Sequence, residues 1–309
     1  MADTGLNYGS FIPTEVVTAW VQTINDYELN YRPELIARNI LPYRDVGTQI
    51  DIEAITHVQT TSGRAGIVAK GASPDPISIA AGVEKHEMYQ IASGFYINER
   101  DLMKTQGPVM KTAEINEVMA KIHATEDYIA INGDSTLGIT GIVGAAHANT
   151  RGKVLATAGS PTGNDVVNMG AWDSSSDTLD PYEDILNATK FMDPRFKPWG
   201  LVADRATIMN LHKTDSERVP FSQYIGKLFG KSEGDLSWMI ESQFTPAGYA
   251  YVIPYSPQAA EFVVSQEVDI ADDYPKEKGG NYWVEIKEWV CPIEMHSPQA
   301  FVEIYTAAS

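Results

Sequence analysis

Hydrophobic and polar residues alternate over positions 50–58. Ile50, Ile52, Ala54 and Val58 fall on one face, and Asp51, Glu53 and His57 on the other, which predicts a half-buried strand. Alternation returns over 88–97, where Tyr89, Ile91, Phe95 and Ile97 share a face. Between the two lie roughly 30 residues of loop-like composition, including Thr60-Thr-Ser-Gly-Arg-Ala-Gly and Gly71-Ala-Ser-Pro-Asp-Pro, and loops of that length are uncommon inside a compact domain. Two strands feeding a long tip describe a hairpin that projects from the body. Such an arm has little core of its own and needs a neighbouring subunit to order it; the alternative is an ordinary mobile surface loop.

Helical spacing is clearest over 108–131. Ile115, Val118, Met119, Ile122 and Ile129 form one apolar stripe, Pro108 suits the first turn, and Asn132-Gly133 supplies a stop signal. Glu117 and Lys121 stand at i, i+4 in the favourable order. A helix with a single stripe lies across a sheet. Nearer the N-terminus, Pro13-Thr14-Glu15 opens a shorter pattern through Val16, Val17, Trp20, Val21 and Ile24, and Pro33 and Pro42 break the region beyond it. On the other side of the long helix, 133–178 is loop-rich, with Asp173-Ser-Ser-Ser-Asp-Thr-Leu-Asp180 as the best hinge. Asp180-Pro181 then caps and starts a helix through Phe191. Strands are predicted at 199–203, 249–255, 262–267, 283–295 and 301–305, and a short helix at 205–213. The alternation of 283–295 slips at Lys287-Glu288, where Val284 and Ile286 give way to Trp289, Cys291 and Ile293, so a bulge is expected there. The order of elements is α+β without a βαβ rhythm. The early long helix and the late long strand should pack together, with the second half of the chain inserted between them.

Composition narrows the partners. The 309 residues carry 41 acidic and 23 basic side chains, a formal charge of −18, and 43% hydrophobic residues that suffice for a sizeable core. So negative a surface argues against a free-standing binder of the nucleic-acid backbone and against anionic membranes. The lone Cys291 excludes an intrachain disulfide and Cys-cluster metal sites. No run of 18 apolar residues and no signal peptide are visible, which makes a reducing intracellular compartment the default.

Candidate chemistry is sparse. Gly138-Ile-Thr-Gly141-Ile-Val-Gly144 follows a helix rather than a strand and lacks a phosphate-binding lysine, so it reads as a tight turn. His123 and Asp127 share a helix face but do not make a catalytic zinc motif, and read as a polar face. Asp173, Asp177, Asp180 and Asp184 lack the Ca²⁺-loop pattern and read as a solvated acidic loop. No nucleophile elbow appears, Cys291 reads as a small buried hydrophobe, and Asn187-Ala-Thr189 is a silent sequon on a helix. No catalytic, cofactor or metal residues are assigned. A soluble enzyme with an unrecognised acidic site is the contrary hypothesis; a binding or building module fits the empty list better.

The order of parts resembles the major capsid proteins of tailed phages, the Hong Kong 97-type shell fold, and is similar to encapsulins. Residues 65–102, from Ala65-Gly-Ile-Val-Ala-Lys70 to Ile97-Asn-Glu-Arg-Asp-Leu102, look like its extended loop and return strand. Residues 109–142, with Glu126-Asp127, Asn132-Gly-Asp134 and Gly138-Ile-Thr-Gly-Ile142, look like its spine helix and adjoining turn, and Ser297-Pro-Gln-Ala-Phe-Val-Glu-Ile304 resembles the last strand of its peripheral domain. The resemblance implies an N-terminal arm (1–47), an extended loop hairpin (48–98), a peripheral domain with a long spine helix (99–173), an axial domain (174–265) and a return to the peripheral domain (266–309). It implies self-assembly of hexamers and pentamers into an icosahedral shell around viral double-stranded DNA, held without sequence-specific binding, with scaffold, portal and decoration proteins as further partners. An encapsulin-like compartment around a cargo enzyme is the alternative. Inter-subunit contact would fall on the loop residues Arg64, Lys70, Pro74 and Pro76. The location implied is the virion, after synthesis in the host cytoplasm. Lys70 lies in the loop of a family in which some members crosslink subunits through Lys and Asn, but its surroundings do not match and the chemistry is not carried over. Because the sequence begins almost at the arm, a scaffold would be a separate protein or absent, or the chain is already mature.

Overall fold

The computed structural model describes residue 12 and residues 14–31, 35–47, 52–60, 79–98, 111–151, 153–155, 165–166, 172, 181–212, 220–271 and 281–306. The chain opens with helices α1 (Thr14–Tyr31) and α2 (Ile36–Ile40) and strands β1 (Tyr43–Asp45), β2 (Ile52–Thr60), β3 (Ile79–Glu87) and β4 (Tyr89–Asn98). Helix α3 (Thr112–Asn132) comes next, then β5 (Gly133–Asp134), β6 (Ile139–Thr140), α4 (Ile142–His147), β7 (Lys153–Leu155) and β8 (Asp165–Val166). The second half holds α5 (Pro181–Phe191), β9 (Gly200–Ala203), α6 (Arg205–Asn210), α7 (Phe221–Leu228), β10 (Met239–Glu241), β11 (Tyr249–Ile253), β12 (Ala260–Ile270), β13 (Asn281–Met295) and β14 (Val302–Tyr305). No described helix is long and apolar enough to cross a membrane.

Among the described residues, two main sheets form. One runs β1-β12-β13-β4, with β1 parallel to β12 and the other pairs antiparallel. The other runs β10-β9-β11-β14-β7-β8 and is mixed. Helix α3 spans about 30 Å at ~1.5 Å per residue and lies against β4 and β13, as its stripe predicts. Ile115, Val118, Met119, Ile122 and Ile129 are all buried in the common core. The helix stops at Gly133, whose φ of +75° suits a residue without Cβ, and Gly138 makes the next tight turn at φ +73°. Helix α1 seats Trp20, fully buried, edge-on against Phe95 of β4 with ring centroids 5.6 Å apart.

The structure corrects or refines four sequence readings. The irregularity expected at Lys287-Glu288 exists on one side of β13 only: the pairing with β12 shifts there, with Gln266 opposite Trp289 and Asp269 opposite Lys287, so the extra residue is on β12. β13 keeps continuous register with β4 from Asn281 opposite Asn98 to Val290 opposite Tyr89. Val284, Ile286, Glu288 and Val290 all point inward, so the apparent slip is a buried glutamate on an otherwise apolar face. Two further shifts in the β12–β13 pairing lie between Glu261 and Val263, opposite Glu294 and Cys291, and between Val264 and Gln266, opposite Val290 and Trp289. Second, residues 302–305 do not join the sheet under α3. They pair with β11 and β7 in the six-stranded sheet, because a strand's local pattern does not name its partner. Third, His123, Glu126 and Asp127 are no polar outer face; all three are buried.

Asp184 likewise departs from the solvated acidic loop. It lies within α5, is fully buried, and accepts the indole N–H of Trp172 at 2.8 Å. Asp173, Asp177 and Asp180 lie outside the described residues, as does Pro108. Cys291 is the buried strand residue expected, its thiol directed at the Ile293 carbonyl 3.4 Å away.

Candidate functional site

Strands β2 and β3 form an antiparallel ribbon of their own, from Ile52 opposite Glu87 to Thr60 opposite Ile79. At ~3.4 Å per residue the ribbon is about 30 Å long. It grows directly out of the four-stranded sheet. Only Met88 separates β3 from β4, and Met88 is buried against Val263 and Cys291. An isolated two-stranded ribbon is marginal in water. The loop residues Arg64, Lys70, Pro74 and Pro76 lie outside the described residues.

A buried joint brings α1, α2, α3, β12 and β13 together. α2 has no side-chain cap of its own at Leu35. Asp127 of α3 supplies one from afar: its Oδ1 accepts the backbone N–H of Ala37 at 2.8 Å. Burial pushes the Asp127 carboxyl up, against the opposing pull of the α2 amides. Arg38 projects from α2 into the interior. Its Nη2 lies 2.7 Å from Glu126 Oε1 and 3.1 Å from Glu288 Oε2, and its Nη1 lies 2.9 Å from Glu267 Oε2. Burial disfavours the guanidinium charge, but these three carboxylates outweigh it and hold Arg38 above its ordinary value. Tyr43 donates to Glu267 Oε1 at 2.6 Å, and burial with that bond raises its phenol. On the other side of α3, His123 Nε2 meets Glu28 Oε1 of α1 at 2.7 Å. No motif marks Arg38, Glu267 or Glu288, and His123, Glu126 and Asp127 show in the sequence only as part of a helix. The available signal was position: Glu126 comes four residues after Ile122, on the apolar stripe, and Glu288 keeps the inward parity of β13.

A second polar group sits where β12 and β13 end. Glu261, Glu294 and His296 place their ligand atoms within 4.8 Å of one another, and His296 Nε2 is 3.7 Å from a carboxylate oxygen of each glutamate. Arg44 enters the same group, with Nε 2.9 Å from Glu261 and Nη2 2.7 Å from Glu294. A guanidinium already balances those two carboxylates, so the group is an ion network rather than a metal cradle. A hollow of about 490 Å³ between α2 and β10, lined by Leu35, Ile36, Ile40, Trp199 and Met239, has no converging set of titratable groups.

No family model and no curated protein matches the sequence. Solved structures do. A virus-like particle from Pyrococcus furiosus superposes with a TM-score of 0.60 at 12% identity, covering 96% of this chain and 100% of that one. The capsid of an empty GTA particle gives 0.60 at 13% identity over 89% and 90% of the two chains. The capsid of Myoviridae phage XM1 gives 0.59 at 12% identity over 87% and 90%. The chain has the Hong Kong 97-type shell fold. The buried joint ties α1 and α2 to α3.

Proposed function

We propose that the chain is the major subunit of an icosahedral shell and has no catalytic activity of its own. The observation that carries the reading is the fold match along nearly the whole chain to subunits of particles. The unaccompanied β2–β3 ribbon supports it, because a neighbouring copy supplies the surface that a lone ribbon lacks. We assign the arm to 1–47, the extended loop to 48–98, the peripheral domain to 99–173 and 266–309, and the axial domain to 174–265. β7, β8 and β14 lend their strands to the six-stranded sheet of the axial part, and the first half of β12 belongs to the sheet under α3. Arg64, Lys70, Pro74 and Pro76 are the loop residues proposed to touch a neighbour.

The proposed contents are double-stranded DNA, in a virion made in the host cytoplasm with scaffold, portal and decoration proteins. The charge of −18 suits a wall that does not hold phosphate, since binding DNA requires basic side chains to displace its counterions. A second reading, an encapsulin-like compartment around an enzyme, rests on the same shell fold, which the chain shares with a virus-like particle from Pyrococcus furiosus.

Size-exclusion chromatography with electron microscopy of the expressed protein tests shell formation, and a strict monomer under all assembly conditions overturns it. Nuclease-protected DNA inside particles supports the first reading, and a co-purifying enzyme the second. Deleting roughly residues 60–85 is expected to leave a folded, soluble subunit that no longer assembles. Loss of folding would place the loop in the core instead.

A further inference from the structure

Glu126 and Glu288 meet in the interior with too little positive charge to keep both ionised. Several elements packed around them bring titratable groups, whereas β4 sets the apolar Ile91 opposite Glu288. α2 brings Arg38, β12 brings Glu267, β1 brings Tyr43, and α3 brings Asp127 and His123, the last facing Glu28 of α1. One guanidinium is thus shared by three carboxylates. Glu126 Oε1 accepts from Arg38 Nε at 3.2 Å and Nη2 at 2.7 Å, Glu288 Oε2 has only a share of that same Nη2 at 3.1 Å, and Nη1 is taken by Glu267. Glu267 is 46% exposed and water can balance it, whereas the side chains of Glu126 and Glu288 are 1% and 0% exposed. Their second oxygens, Glu126 Oε2 and Glu288 Oε1, are buried and accept no hydrogen bond. Two desolvated carboxylates on one guanidinium are strongly disfavoured, and a proton on either supplies the missing donor. Burial, then the charge of Glu126 and a hydrogen bond to it, push Glu288 well above the usual carboxyl range; burial likewise raises Glu126.

We propose that Glu126 and Glu288 hold one proton between them in the folded subunit, and that this proton latches α2, α3 and β13 together. It belongs to the pair rather than to either residue. The folded chain then binds one proton more than the unfolded chain above the ordinary Glu value of about 4.3. Stability from the latch is complete below that value and is lost as pH rises through the pair's higher folded value, because the unfolded state binds fewer protons there. The device thus closes toward acid and loosens toward alkali, opposite to a simple ion pair between Arg and Glu.

The test uses the full-length chain. Unfolding it in guanidinium chloride in weakly buffered solution near pH 7 is expected to release about one proton more than unfolding Glu288→Gln. Any proton held by His123 and Glu28 is common to both proteins and cancels. The melting temperature of the wild type should fall from pH 6 to 9 more steeply than that of Glu288→Gln, whose amide stands in for the protonated acid. Equal proton release and parallel melting profiles would overturn the proposal. If Glu288→Gln does not fold, Glu126→Gln makes the same comparison. If neither folds, infrared spectroscopy of the wild type decides: a protonated-carboxyl band in the native protein at pH 7.5 that vanishes on unfolding supports the latch, and its absence refutes it.

Discussion

Behind the four-stranded sheet the chain buries Arg38, His123, Glu126, Asp127, Glu288 and Glu294, whereas behind the six-stranded sheet it buries Trp172, Phe229, Trp238 and Tyr251. The first region joins segments far apart in sequence, residues 38, 126 and 288, through directional ion contacts. The second closes by volume. Trp238 is fully buried, stacks on Phe229 with centroids 5.1 Å apart, and presses its indole on Gly226, where an added Cβ would come to 3.2 Å of Nε1. Charge in the second region is handled locally, as Asp184 is by Trp172. The difference is one of control. Packed volume responds to temperature but hardly to pH, while a buried charge joint can be strengthened or released by a proton.

Two large truncations should separate the regions. Arg38→Ala leaves Glu126 and Glu288 buried without their cation, a loss of about 3–5 kcal/mol measured by denaturant unfolding. Acidification should recover much of it, because protonating the carboxyls removes the unpaired charge. Trp238→Ala should lose a similar amount, about 3–5 kcal/mol, from transfer and cavity together. Its loss should be unaffected by pH between 5 and 8. Equal pH responses in the two variants would dissolve the distinction. The combination Arg38→Met, Glu126→Leu, Glu288→Leu sharpens it further: apolar replacement of a whole buried ion group should restore at least half of what Arg38→Ala loses.

A middle-sized effect is expected at β4, the edge strand of the four-stranded sheet. A Cβ at Gly94 would collide with the Val284 carbonyl oxygen and the Trp283 ring of β13. Gly94→Ala should therefore cost about 1–3 kcal/mol as overpacking. Hydrogen exchange should show the loss in β4 and β13 and spare the six-stranded sheet; uniform loss would mean that the sheets do not open separately.

Legibility in the sequence divides along the same line. Periodicity found α3, β4, β11 and β13, because each buries an apolar face whose spacing is set by its own backbone. It missed α2, five residues between Pro33 and Pro42, which is held by Asp127 and Arg38 rather than by any pattern of its own. It read Glu288 as a break in β13 because a polar residue at an inward position looks like a change of face. Only the partner, 250 positions away at Arg38, makes that position tenable. Strand β14 was legible as a strand but not as a member of the six-stranded sheet, since pairing is decided by tertiary contact. The loop contact residues Arg64, Lys70, Pro74 and Pro76 rest on resemblance alone.

The smallest effect is the control for the charge argument. Glu117 and Lys121 lie 2.8 Å apart at i, i+4 on the outer face of α3, with side chains 68% and 62% exposed. Both ends of the pair are solvated, so water replaces the lost partner when either is removed. Lys121→Ala should cost no more than about 0.3–0.5 kcal/mol, and salt should erase the difference. Glu126 is borne by the same helix, only five residues further along, yet its partner's loss should cost roughly tenfold more. If Lys121→Ala proved as damaging as Arg38→Ala, burial would not be what gives the joint its strength, and the contrast between a solvated pair and a desolvated one on one helix would fail.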